Sequence, residues 1–307
     1  MLIAVDHGNS FIKTPNFQFS SGIVEHQVRP PADDLIEYAG SYWALSSSRI
    51  SFMRNKAADK RFFVLTLFAI VKELVRLEKE IKPLHEIDLA VGLPPEHIGN
   101  LRDSFEQYFM RGSPANFVYN GTPLTILLRR VFVYPQAYAA VTPQSARLMQ
   151  VKRVFIVDIG GMTTDVLLLS EGRPDPQVCR SLETGIIDLQ NALIGKVNAK
   201  HDMTIEADHI DMVLQGQETI LPDEVRHTIC EAAQQHTDVI LEKLREMKVD
   251  LRTTPAIFIG GGAILLREYL ETSPLVTKAE FVPNANANAV GYQMLAEAQL
   301  RRSSGGV

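Results

Sequence analysis

The chain has 307 residues, 46% hydrophobic and 22% charged, enough for a sizeable core without staples and unlike a disordered or collagen-like polymer. With 31 basic and 36 acidic residues its net charge is −5, which argues against a dedicated nucleic-acid binder but leaves room for an anion held by backbone N–H groups. Two cysteines, Cys179 and Cys230, are too few for a disulfide scaffold or a four-thiolate zinc site and read as small buried hydrophobes. The opening MLIAVDHG has no basic n-region and no long apolar segment, so no signal peptide is expected. The longest apolar-rich stretch, 62–75, is interrupted by Lys72 and Glu73 and is too short for a bilayer, so a cytosolic protein with no membrane partner is expected.

Residues 2–5 form an apolar run that reads as a strand, 6–10 are turn formers, and 11–13 resume extended character, a hairpin-like start. Short strands and loops fill 16–58, with a turn at Pro30-Pro31. A helix is predicted over 59–82, with Phe62, Leu65, Phe68, Ala69, Val71 and Leu74 on a broad apolar face and Pro83 as its stop. A strand at 88–93 runs into Pro94-Pro95, and 96–109 reads as a helix. Residues 124–133 are a strand pair or one long strand, broken at Pro135-Gln136. Segment 137–149 is predicted helical, interrupted at Pro143.

At 154–157 the opening pattern returns: an apolar strand, the turn DIGGMTTD at 158–165, and a second strand at 166–169. Asp6 and Asp158 lie about half a chain apart, which suggests an internal duplication and two lobes of similar design. Helices are predicted at 185–198 and 223–247, then a strand at 256–259 that ends in Gly260-Gly261-Gly262, a helix at 263–271 and a closing helix at 285–302. The tail 303–307 is expected to be disordered.

Three apolar strands thus end in turns of glycine or small residues, and two of those turns carry an aspartate. In α/β folds such strand ends hold ligands; glycines admit a phosphate, and successive N–H groups form an anion nest. The hydroxyls of Ser10, Thr163 and Thr164 suit phosphate oxygens. Asp6 and Asp158 would repel phosphate but suit the waters of a Mg²⁺ ion that neutralises it. Lys13, on the strand returning beside the first, is placed to reach a β- or γ-phosphate. His85, His97 and His201 stand alone, and His227 is expected to lack a partner within one helical turn, with His236 on the opposite face.

The segments IAVDHGNSFIK, VFVYPQAYAA, VFIVDIGGMTTDV, AIFIGGGAIL and NANAVGYQMLA, in this order, resemble the phosphate-1, connect-1, phosphate-2, adenosine and connect-2 motifs of the actin-like ATPase superfamily. Within it, DHGNSFIKT and MRNKAADKRFFVLTLFAIVKEL are most similar to the plasmid-segregation actins, the ParM/StbA group. The resemblance implies an α/β, actin-like fold, a duplicated ribonuclease H-like design of two lobes with ATP or GTP and Mg²⁺ in the cleft between them. Residues 1–156 with 287–307 would form lobe I, and 157–286 lobe II. Asp6 matches the phosphate-1 aspartate, with Gly8, Asn9, Ser10 and Lys13 around the phosphates. Asp158 matches the phosphate-2 aspartate near the metal, with Gly160, Gly161 and Thr163 as the second clamp. Gly260, Gly261 and Gly262 match the adenosine motif, and Gly185 falls where ribose or adenine is contacted. Asp6 and Asp158 would hold the metal through water. Gln136 stands at the connect-1 position, where an amide would orient the attacking water, with Asp158 and Asp165 assisting.

Two residues depart from the pattern: His7, expected as an outward-facing loop side chain, and Met162, which replaces a third glycine of phosphate 2. The function implied is an ATPase coupled to polymerisation, partnered with itself in a helical filament and with a centromere-binding adaptor of ParR type, DNA being reached only indirectly. It would work in a bacterial cytoplasm. A small-molecule kinase of the same superfamily is the alternative, since DHGNSFIK also resembles type III pantothenate kinases, but their GxDR-like substrate motif is missing. An MreB-like cytoskeletal protein is the other, although the membrane anchor usual there is not seen before Leu2.

Overall fold

A computed structural model describes residues 1–53, 55–78 and 81–304. By internal contacts the chain divides into two compact units, Met1–Pro143 with Asn286–Val307, and Gln144–Ala285. The boundary expected at 156/157 falls elsewhere, because a cut there would divide a strand, Val154–Ile159, that pairs along its length within the second unit's sheet.

In the first unit, β1 (Leu2–His7), β2 (Phe11–Lys13), β3 (Gln18–Ser20), β4 (Gly22–His26), β5 (Leu35–Tyr38), β6 (Ser41–Ser46), β7 (Leu84–Leu93), β8 (Ala115–Tyr119) and β9 (Thr122–Pro135) form one sheet. Its order is β3-β2-β1-β7-β9-β8-β5-β6-β4. β1 is antiparallel to β2 and parallel to β7. A strand covered on both faces reads as a continuous apolar run, as Leu2–Val5 does. β7 starts four residues before the predicted strand, since His85 and Ile87 face inward between exposed Leu84 and Glu86. Helix α1 (Lys60–Leu77) is capped by the Asp59 carboxylate on the Arg61 N–H. Every residue from Phe62 to Val71 is buried, so α1 is a core helix rather than an amphipathic one. It stops at Leu77 rather than 82 because Glu78 is already extended, and residues 79 and 80 of the prediction lie outside the described residues. α2 (Ile98–Arg111) covers β9. The helix predicted at 137–149 is a 3-10 segment, Ala139–Gln144 with Pro143 inside it, followed by the one-turn α3 (Ser145–Leu148).

The second unit's sheet contains β10 (Val154–Ile159), β11 (Thr164–Ser170), β12 (Arg173–Leu182), β13 (Ala256–Ile259) and β14 (Ala279–Phe281), in the order β12-β11-β10-β13-β14. Its helices are α4 (Ile186–His201), α5 (Ala207–Leu214), α6 (Asp223–Glu246), α7 (Gly261–Leu265) and α8 (Arg267–Thr272). The single helix predicted at 263–271 is broken at Leu266. Cys179 on β12 and Cys230 on α6 are only half-buried, which corrects their reading as core residues; β12 is an edge strand. His227 has a partner after all, Glu231 one turn on at 3.1 Å.

The last helix, α9 (Ala287–Ser304), returns to the first unit and packs on β1 and β7. Ser303 and Ser304, expected in a disordered tail, continue this helix, and residues 305–307 lie outside the described residues. The two units repeat one topology. In each, an antiparallel meander (β1-β2-β3, β10-β11-β12) continues from its first strand into two parallel neighbours (β7-β9, β13-β14). Each has its own apolar core. Among the described residues no helix is long and apolar enough to cross a membrane.

Candidate functional site

In the first unit the predicted residues gather where parallel strands β1, β7 and β9 end. Asp6, 5% exposed, sits one residue before the end of β1. Its Oδ1 accepts hydrogen bonds from Gln136 Nε2 at 3.0 Å and Tyr292 Oη at 3.3 Å. Gln136 follows β9 directly, and its N–H donates to the Leu93 carbonyl of β7. The next residue, Ala137, takes a positive φ of 61° and donates its N–H to Asn288 Oδ1 on α9. A carboxylate only accepts, so the Gln136 amide presents its nitrogen to Asp6 and keeps Oε1 as its acceptor. Lys13 lies in register opposite Asp6 on β2. Between them runs the turn Gly8-Asn9-Ser10, whose Asn9 and Ser10 carbonyls accept from Ser21 Oγ and N–H at 2.7 and 3.0 Å.

His7 is not an outward loop residue. The strand extends through it, so it faces away from Asp6 and is 1% exposed, among the rings of Phe62, Phe105 and Phe109. Thr66 Oγ1 donates to the Phe62 carbonyl, so at 2.7 Å it accepts from His7 Nε2–H. Burial, aided by the Lys56 ammonium, pushes the His7 imidazole down to about 3. Lys56 Nζ also donates to the His7 carbonyl.

In the second unit Asp158 on β10 stands in register with Asp165 on β11, 9% and 6% exposed respectively. The Gly160 N–H donates to the Thr163 carbonyl at 2.8 Å and closes the turn, while Thr163 Oγ1 donates to Asp165 Oδ2 at 3.1 Å. The Gly160 and Gly161 carbonyls accept from Ile186 and Ile187 N–H at 3.1 and 2.9 Å, which staples the turn to the start of α4. Gly185 caps that helix, its N–H on Asp188 Oδ2, and a Cβ there would overlap the Gly161 carbonyl. Met162 packs on the unit's core. Gly260 has φ +90°, and a Cβ on it would overlap Asp158 Oδ1; Gly261 faces open space and a Cβ on Gly262 would crowd Ile159.

The sequence reading missed two polar side chains that act on these groups. One is Tyr292, which no local pattern marks. The other is His236, whose ring donates to the Gly185 carbonyl at 3.0 Å while Lys243, seven residues on, donates to Thr184 Oγ1 at 3.0 Å. An i, i+7 pair on one face of α6 was the available signal.

Oxygen donors of this kind suit hydrated Mg²⁺. Asp6 Oδ2 takes no hydrogen bond among the described residues, and Asp158 and Asp165 face each other as buried carboxylates. Among the described residues no group of three or more His, Cys, Asp or Glu could hold a metal ion.

Residues 156–272 match the family model of the archaeal MreB-like actin homologues, C-terminal domain. No curated protein sequence matches the chain. Among solved structures, the archaeal actin homologue Ta0583 in complex with ADP is 19% identical with a TM-score of 0.75, covering 97% of this chain and 99% of its own. A 15-stranded ParM filament from Clostridium botulinum is 14% identical with a TM-score of 0.75, over 97% and 99%. The actin-like protein Alp7A is 14% identical with a TM-score of 0.77, over 99% and 98%. The chain therefore has the actin-like α/β fold, with an actin-homologue domain signature in its second unit.

Proposed function

We propose that this chain is a nucleotide-dependent, filament-forming ATPase that binds a Mg²⁺-nucleotide. The observation that carries the reading is the Gln136 amide held on the Asp6 carboxylate at the end of β1, with Asp158 at the equivalent place in the repeated topology of the second unit. Gly8, Asn9, Ser10 and Lys13 in the first unit, and Gly160, Gly161 and Thr163 in the second, bind phosphate through backbone N–H groups, hydroxyls and the Lys13 ammonium. Gly260, Gly261 and Gly262 present bare backbone to the nucleoside, beside Gly185. Asp6 and Asp158 would hold Mg²⁺ through its waters, and the ion would neutralise the phosphate charge.

Gln136 Oε1 accepts from the attacking water and aligns it, with Asp158 and Asp165 assisting. An amide is a poor base, so this arrangement favours water over a substrate hydroxyl and an ATPase over a kinase. Self-assembly is supported by the likeness to a chain solved as a filament, and head-to-tail contacts that do not close give open filaments. We further propose a role in plasmid DNA segregation in a bacterial cytoplasm, through a DNA-binding adaptor of ParR type; a net charge of −5 suits indirect contact with DNA.

The test is right-angle light scattering of the purified protein with Mg²⁺ and ATP, GTP or ADP, with phosphate release followed in parallel. Scattering that rises with a triphosphate and decays as phosphate appears supports the reading and identifies the fuel. Flat scattering at concentrations where nucleotide is bound and hydrolysed would rule out nucleotide-driven assembly by the chain alone.

A further inference from the structure

We propose that the hydroxyl of Tyr292 is a positioning group for the Asp6 carboxylate, and through it for Gln136; the inference rests on the nucleotide reading above. Tyr292 is fully buried on α9, and a buried phenol needs a polar partner. Its Oη lies 3.3 Å from Asp6 Oδ1, the same oxygen that takes the Gln136 amide at 3.0 Å.

The surroundings are shaped for this ring. Ala4, Ala90, Ala139 and Ala296 pack around it, and Tyr134 stacks on it with ring centroids 6.5 Å apart and an interplanar angle of 19°. Gly92 on β7 leaves the space the ring occupies, since a Cβ at that position would overlap it. Small residues on four elements thus admit a large side chain whose only polar atom reaches the end of β1.

Two donors on one carboxylate oxygen fix the rotation of the group. They turn Oδ2 toward whatever else the site binds, and Oδ2 takes no hydrogen bond among the described residues. Without the phenol, Asp6 keeps one tether, the long amide side chain of Gln136, and the two rotate together. The donor on α9 is therefore what holds the pair in one orientation. A phenylalanine fills the same space, so Tyr292→Phe removes the donor and leaves the packing.

The experiment titrates Mg²⁺ against the affinity for ADP in the full chain, with a fluorescent ADP analogue as probe, beside thermal melts and phosphate release. For Tyr292→Phe the expected result is a melt close to wild type and an unchanged affinity in EDTA. The Mg²⁺ concentration for half-maximal tightening should rise about three- to tenfold, the net size of one ordinary hydrogen bond. In an Asp6→Asn background, Tyr292→Phe should add no further shift, which separates action through Asp6 from a general packing effect. A wild-type Mg²⁺ dependence in Tyr292→Phe, with Asp6→Asn shifted, overturns the proposal. So does an equal further shift in the Asp6→Asn background. If Asp6→Asn itself leaves Mg²⁺-dependent ADP binding unchanged, it is the assignment of Asp6 to the nucleotide site that fails.

Discussion

Gln136 shows how one contact limits a side chain to one task. With Nε2 donated to Asp6 at 3.0 Å, the amide plane is set and only Oε1 is left to orient a water. Gln136→Ala should slow phosphate release by ~10²-fold, the usual size of such effects, while ATP-driven scattering persists. Loss of assembly would show that Gln136 is structural. Asp158→Ala should abolish phosphate release with nucleotide still bound, and near-normal turnover would refute its assignment. His7 offers a different kind of prediction. Held near 3 in the fold against about 6.5 unfolded, it stays neutral while the unfolded chain takes up a proton. Its contribution is therefore complete above pH 6.5 and is lost as the pH falls toward 3, at up to about 1.4 kcal/mol per pH unit. Urea unfolding at pH 7 and pH 5, in EDTA without nucleotide, should show a smaller loss for His7→Leu than for wild type; equal losses would refute this. Asp6 and Asp158 were legible because each ends an apolar run before glycine. His7 was not, because the strand runs one residue further than its turn formers suggest, and alternation then reverses the direction of the side chain.

The elements that sequence reading recovered were those whose pattern is uninterrupted, such as α1, β10, β13 and α6. β12 was missed because RPDPQVCRSL carries two prolines, which an edge strand tolerates. β8 was missed although Asn120-Gly121 is a strong hairpin signal, with positive φ at both residues. Glu171-Gly172 and Ala39-Gly40 turn the same way, so three hairpins share one two-residue design. Ala39 is the least suited to it, with φ +52° and a Cβ. Ala39→Asn should stabilise the protein by about 0.5–1 kcal/mol in urea unfolding, and a destabilised variant would refute the turn assignment. At α6, His236 and Lys243 brace the segment that caps α4 and carries the carbonyls of Gly160 and Gly161 on its first N–H groups. The i, i+7 spacing of His236 and Lys243 puts them on one face of α6, but their partners, Gly185 and Thr184, lie 51 and 59 residues earlier and are identified only in the folded chain. His236→Ala should weaken ADP binding about three- to tenfold with little change in the melt, and unchanged affinity would leave His236 a purely structural residue.

At the scale of the molecule, two units of one topology each hold a buried aspartate near the end of the meander's first strand, and each has its own apolar core. A bound nucleotide stabilises the fold, since any ligand that binds only the folded state adds RT ln(1 + [L]/Kd), about 2.7 kcal/mol at a hundredfold excess over Kd. For a chain of this size that is a rise of a few degrees in Tm. In differential scanning calorimetry Mg²⁺-ADP should therefore raise the Tm of the wild type. Asp6→Asn changes only the first unit and Asp158→Asn only the second. If both aspartates serve the binding of Mg²⁺-nucleotide, either substitution alone should shrink the ADP-induced shift, because each lowers the affinity that sets it. A full wild-type shift in one variant, with the other's reduced, would remove the substituted aspartate of the former from the nucleotide site, and full shifts in both would refute the site as assigned.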